Sequence, residues 1–312
     1  MKAFITGGAG FIGRNLVTYL LKKGDSVVVY DRFDNPTLVF EESIAKNKKF
    51  SYRKGDVLDA RLLEQAMKGC TIVYHLSANA DVRGGLTDSS LDLTQGAVAT
   101  SRVLNAMRTN GITNIVFPSS MTVYGKSSKK AVSESEACSP ISLYAASKLS
   151  AEALISAYSH TFGIKSWILR FANVIGPGLT HGVVFDLINK LKDNPRKLKV
   201  LGNGHQTKPY IYIDDLLEAI NMVVTLSNEP VNLFNIGVDT TISVRKIVDI
   251  IIGKMKLKNV EVAYDKTPHG WVGDVPVFNI SINKLKKLGF KPKYSSFQGI
   301  SKTVDIRLAE LS

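Results

Sequence analysis

The sequence predicts an α/β protein: a doubly wound parallel sheet with a smaller, partly interwoven α/β domain. Three observations carry this reading. Over residues 2–170 short β-rich runs alternate with longer helical patterns. A glycine-spaced turn joins the first of those runs to the first helix. Beyond Arg170 the alternation loses its regularity, with turn signals GPG at 176–178 and GNG at 202–204. A chain of 312 residues has room for two such domains.

Taken in order, AFIT (3–6) is the first strand, and FIGRNLVTYLLKKG (11–24) is an amphipathic helix closed by Gly24. SVVVYD (26–31), FSYRKGDV (50–57) and TIVYHLS (71–77) follow as strands; the first and last are apolar enough to be covered on both faces, as parallel strands are. SSLDLTQGAVATSRVLNAMRTNG (89–111) reads as one long helix stopped by Gly111. NIVFPSS (114–120) and KSWILRF (165–171) are buried strands flanking an amphipathic helix from Tyr144 to His160. Between them, 125–139 is a polar, mobile loop suited to cover a site. The expected division is 1–172, with 209–237 returning to it, and a second domain of 173–208 and 238–312.

Hydrophobic residues at 45% and charged residues at 21% exclude a disordered chain. Apolar runs fall well short of the about 20 residues of a membrane span. The N-terminus lacks the unbroken apolar stretch of a signal peptide, so a cytoplasmic protein is expected. Cys70 and Cys138 form no framework, and His75, His160 and His181 have no ligand spacing, so neither a disulfide nor a metal is expected. Forty basic against 27 acidic residues leave +13, a charge that suits nucleic acid, an anionic membrane or a negatively charged small substrate. The lysine pairs are scattered without an aromatic stripe and read as solvated helix ends, so neither a nucleic-acid nor a membrane partner is expected.

Gly7, Gly10 and Gly13 stand between a strand and a helix, with Phe11 and Ile12 in the first helical turn. Glycines allow backbone to approach a pyrophosphate, and the helix N-terminus offers free N–H groups. Asp31 ends the second strand, placed to accept hydrogen bonds from both adenosine ribose hydroxyls and to repel a 2′-phosphate; this favours NAD over NADP, although Arg32 follows directly. Asp56 and Val57 are placed to hold adenine, or form a plain surface turn. Tyr144 and Lys148, four apart near a helix start, project from one face. An ammonium close to a phenol favours the phenolate and lowers its pKa from about 10.

TGGAGFIG at 6–13, Asp31, SSMTVYG at 119–125, YAASK at 144–148 and RFANVIGPG at 170–178 together resemble the extended short-chain dehydrogenase/reductase family, and within it the sugar-nucleotide epimerases, UDP-glucose 4-epimerases in particular. The resemblance implies a Rossmann domain holding NAD, with Leu76, Ser77, Ala78 and Ala172 beside the cofactor and Lys148 on the nicotinamide ribose. It implies that Tyr144 takes the proton of a sugar hydroxyl that Ser120 also holds, with Thr122 nearby, and that a UDP-sugar passes through a 4-ketosugar. Asn173 and Lys208 would meet the diphosphate, and the stretch Lys199 to Leu201 the uracil. Relatives pair as homodimers through the helices at 89–110 and 143–162. The alternatives are an NAD-linked reductase, an epimerase for UDP-N-acetylhexosamines, and a dinucleotide-sensing regulator, which would be expected to lose the Tyr/Lys pair.

The sequence departs from that pattern in places. Dehydratases carry an Asp–Glu pair where Met121 and Thr122 stand, and decarboxylating relatives a glutamate in place of Thr122. Arginines that meet the pyrophosphate are replaced by Lys208 and Trp271, a lysine by Ala80, and the asparagine expected near Gly96 is missing. Lysine keeps the charge of arginine but not its bidentate fork.

Overall fold

The computed structural model describes residues 1–34, 40–79, 81–127 and 129–311. Seven strands form the main sheet: β1 (Lys2–Thr6), β2 (Ser26–Asp31), β3 (Phe50–Lys54), β4 (Ile72–His75), β5 (Asn114–Ser120), β6 (Lys165–Phe171) and an edge strand Val231–Ile236, ordered edge-β6-β5-β4-β1-β2-β3. β1 runs parallel to β2 on one side and to β4 on the other, with Lys2 opposite Ser26 and Ala3 opposite Ile72. The chain winds outward from β1 to β3, then crosses back to β4. The carboxyl end of β1 is therefore the switch point at which sheets of this kind open a crevice.

The expected strands match closely, and apart from the partly exposed edge strand β3 their Val/Ile/Phe runs are buried; Phe4, Val28, Val73, Ile115 and Phe117 join Val103, Leu104, Met107 and Ile155 from the covering helices in one core. One element differs. The long helix at 89–111 is a helical turn at Ser89–Asp92, a π turn at Leu93–Val98, and an α-helix only over Ala99–Thr109.

Contacts divide the chain into two units: 1–123 with 142–170 and 223–234, and 124–141 with 171–222 and 235–312. The stretch returning to the first unit is shorter than 209–237, because Tyr210–Tyr212 pairs with Asn173–Ile175 inside the second unit. That unit packs helices Val183–Asp193, Val244–Lys254 and Ser296–Ala309 around Leu187, Ile188, Leu198, Ile247, Ile251, Ile300 and Val304. The polar segment 125–139 is tethered within it: Val132 is buried and exchanges backbone hydrogen bonds with Asn279 and Ser281. Among the described residues no helix is long and apolar enough to cross a membrane.

Candidate active site

At the end of β1, Gly7 adopts φ +67°, and a Cβ there would lie 2.8 Å from the Ser77 nitrogen. A Cβ on Gly13 would stand 2.4 Å from the Gly7 carbonyl oxygen, so the helix Phe11–Lys22 begins pressed against the turn. No side chain among the described residues caps that helix, whose N-cap is Gly10, and its first amides face outward as an anion cradle. Asp31 stands beside the cradle, its Oδ2 accepting from the Ala9 N–H at 3.0 Å and its Oδ1 from the Phe33 N–H at 3.0 Å. Arg32 is ion-paired with two carboxylates, Asp34 at 2.8 Å and Asp56 at 3.8 Å. A glycine cradle, an uncapped helix start and a carboxylate at the end of β2 fit a dinucleotide without a 2′-phosphate.

Leu76 and Ser77 border the same turn through their N–H groups, which donate to the Thr6 carbonyl at 3.1 Å and the Thr6 hydroxyl at 3.2 Å, and Ala78 follows them. Asp56 is occupied by its own loop: its Oδ1 accepts the Leu58 N–H and its carbonyl the Tyr30 hydroxyl, while Val57 is buried.

The helix Leu143–Phe162 starts at Ser142, whose hydroxyl accepts the Ala145 N–H. Tyr144, Lys148 and Glu152 follow at intervals of four, so one face carries all three. Lys148 is buried, and its ammonium donates to the Pro118 carbonyl at 2.8 Å while standing 5.9 Å from the centre of the Tyr144 ring. Burial lowers its pKa to about 8 against the opposing pull of Glu152. Tyr144 does not follow the expectation drawn from its spacing. Burial, then the Asp92 carboxylate, push its pKa up to about 12, and a hydrogen bond with Ser120 works in the other direction. The lysine charge is taken up by a carbonyl, so it does not bring the phenol toward neutral pH.

Ser120 is held by Thr122. The Thr122 N–H and hydroxyl both donate to Ser120 Oγ, at 3.2 and 2.9 Å, which leaves the Ser120 proton to be donated onward. His75 is a core residue: its ring lies between the hydroxyls of Thr6 at 2.8 Å and Thr100 at 3.1 Å, and burial lowers its pKa to about 3.

Sequence reasoning passed over two buried carboxylates. Glu152 takes a bidentate grip from Arg170, Nε at 3.0 Å and Nη2 at 2.6 Å, and also accepts the Ser119 hydroxyl. It thereby ties the tyrosine helix to β5 and β6. Its i+4 spacing from Lys148 was a readable signal. Asp92 had none, since a π turn brings it inward.

The remaining expected residues belong to the second unit. Ala172 donates to the Ile236 carbonyl at 2.8 Å, and Asn173 donates to the Pro209 carbonyl at 3.3 Å. Lys208 is ion-paired with Asp274. Lys199 is exposed on the strand Lys197–Val200, and Leu201, just past its end, is also exposed, its carbonyl accepting from Gln206 Nε2 at 3.1 Å. Trp271 offers its carbonyl to the Asp274 N–H at 3.1 Å, and its ring does not replicate an arginine fork. Ala80 lies outside the described residues.

The model of the NAD-dependent epimerase/dehydratase family matches residues 3–237. The chain belongs to that family. A putative UDP-glucose 4-epimerase of Methanocaldococcus jannaschii is 32% identical over 96% of both chains. A crystal structure of a UDP-galactose 4-epimerase matches with a TM-score of 0.88 at 32% identity over the whole of both chains. The Thermus thermophilus UDP-glucose 4-epimerase in complex with NAD matches with a TM-score of 0.85, at 29% identity over 98% of both chains. As a member of the epimerase/dehydratase family, the protein is an NAD-dependent enzyme that acts on sugar nucleotides.

Proposed function

We propose that this enzyme inverts carbon 4 of a UDP-hexose, interconverting UDP-glucose and UDP-galactose through a transient 4-ketosugar. The observation that carries the reading is the grouping of Ser120, Tyr144 and Lys148 with Met121 and Thr122 where elimination of water would call for an added acid and base. In this reading the first unit holds the cofactor: the amides at Gly10–Gly13 take the pyrophosphate, Asp31 the adenosine ribose, and Lys148 the nicotinamide ribose. NAD bound there supplies a reversible acceptor for the hydride of carbon 4.

The chain's own residues handle the proton. Tyr144 as phenolate takes it from the carbon 4 hydroxyl and returns it after the sugar has turned over. A phenol with a pKa near 12 is a strong base once deprotonated. Ser120, with its oxygen filled by Thr122, has its one proton to give to the Tyr144 oxygen, beside which it also holds the same sugar hydroxyl. In the second unit Asn173 and Lys208 are the proposed contacts of the diphosphate, and Lys199 and Leu201 those of the uracil. The enzyme is proposed to work as a homodimer through the helical stretches 89–110, which exposes Leu93 and Val98, and 143–162, which exposes Leu143 and Phe162, for which light scattering above the 34.1 kDa monomer mass is the check.

Incubation of the purified protein with UDP-glucose, UDP-N-acetylglucosamine and their galacto epimers, with no reductant added, tests the reading. UDP-galactose should form from UDP-glucose. A 4-keto-6-deoxy product, or turnover only with added NADH, would overturn it.

A further inference from the structure

The π turn at 93–98 does more than interrupt a helix. A π turn takes a carbonyl out of the regular ladder, and such turns occur frequently at functional sites. Here the Asp92 carbonyl accepts the hydroxyl of Ser147 at 2.5 Å, and Ser147 lies between Tyr144 and Lys148 on their helix. Gly96 makes the approach possible, because a Cβ on it would stand 1.7 Å from Ser147 Oγ.

The same turn carries the Asp92 side chain inward, where it is 3% exposed. Its Oδ1 accepts from Asn79 Nδ2 at 3.0 Å, and its Oδ2 is buried with no hydrogen-bond partner among the described residues. No ion pair among those residues neutralises it. A half-satisfied buried carboxylate is unfavourable for stability, because the hydrogen bond it leaves unmade goes uncompensated. The carboxylate lies against the start of the tyrosine helix: a Cβ on Gly85 would stand 2.5 Å from Asp92 Oδ2 and 3.1 Å from the Cβ of Leu143, the residue before Tyr144, and from there its charge raises the pKa of the phenol.

We propose that Asp92 is a positioning residue for Tyr144: its carbonyl anchors the tyrosine's helix through Ser147, and its carboxylate supplies the charge against which the phenol's proton is held. The proposal rests on the reading of Tyr144 as the proton acceptor. The groups around the phenol are Asp92 from the π turn, Lys148 from its own helix with its ammonium on the Pro118 carbonyl, and the Ser120 hydroxyl from β5; Glu152 and the neutral His75 interact with Lys148. Asp92 is thus the negative charge that opposes the phenolate.

The test is a titration of the Tyr144 ring carbon by NMR, its signal assigned by loss in Tyr144→Phe, in wild type, Asp92→Asn and Asp92→Glu. Asp92→Asn should lower the midpoint by about one pH unit or more, and Asp92→Glu should keep it near the wild-type value. In the epimerase assay the acid limb of kcat/KM should move to lower pH in Asp92→Asn, in step with the midpoint. An unchanged or higher midpoint would overturn the proposal, since a purely structural role would alter stability and leave the titration alone. If Asp92→Asn does not fold, Ser147→Ala reads the anchor: kcat should fall about tenfold with KM little changed, and an unchanged kcat would overturn it. A Tyr144→Phe protein that stays active would remove the proton role itself, while the titration would still decide whether Asp92 and Tyr144 are coupled.

Discussion

Each unit holds one notable ion pair, and the two differ in access to water. Glu152 and Arg170 in the first unit are 7% and 6% exposed at their side chains, whereas Lys208 in the second keeps 23% exposure beside the buried Asp274. A sealed pair cannot exchange partners, so its role is geometric: it fixes the Tyr144 helix against β5 and β6. A pair open on the lysine side can give up its carboxylate contact to an incoming anion. The first pair is sealed from water and the second is open to it on the lysine side.

The largest expected effect breaks the sealed pair. Arg170→Met leaves Glu152 charged and buried, and urea unfolding should show a loss of about 3–5 kcal/mol. A loss near zero would mean that the pair fixes nothing. Next, Tyr144→Phe should cut turnover about 100-fold or more while the melting temperature and bound NAD are kept, as read by steady-state kinetics and cofactor extraction. Near wild-type turnover would separate the rigid region from the chemistry.

A third effect concerns pH. His75 has its pKa lowered from 6.5 to about 3 in the folded protein. Between those values the unfolded chain binds a proton that the folded chain does not, so stability falls as pH falls through that window. Denaturant midpoints measured at pH 6.5 and 4.5 should converge in His75→Gln, and a slope identical to wild type would assign the acid sensitivity elsewhere. The smallest effect belongs to the open pair: Asp274→Asn should cost about 1 kcal/mol or less, because Lys208 can turn to water. A loss as large as that of Arg170→Met would erase the distinction between the two regions.

Much of this was legible in the sequence. Buried runs such as SVVVYD and NIVFPSS mark their strands directly, and Tyr144 and Lys148 declare their shared face by local spacing. The rest depends on partners far along the chain. The π turn needs Ser147, 55 residues from the carbonyl it binds, to meet Gly96. Spacing placed the Lys148 ammonium near the phenol but could not show that the Pro118 carbonyl would claim it. The return to the first unit begins at 223 and not at 209, because Tyr210–Tyr212 finds its partner strand at 173–175.

The central claim is that hydride leaves carbon 4 and returns to carbon 4, with no external reductant and no loss of water. Incubating the enzyme with UDP-glucose carrying deuterium at carbon 4 and locating the label in the product by NMR tests it most directly. The account predicts UDP-galactose with the deuterium retained at carbon 4. Deuterium found at carbon 6, or exchanged out of the sugar, would contradict it.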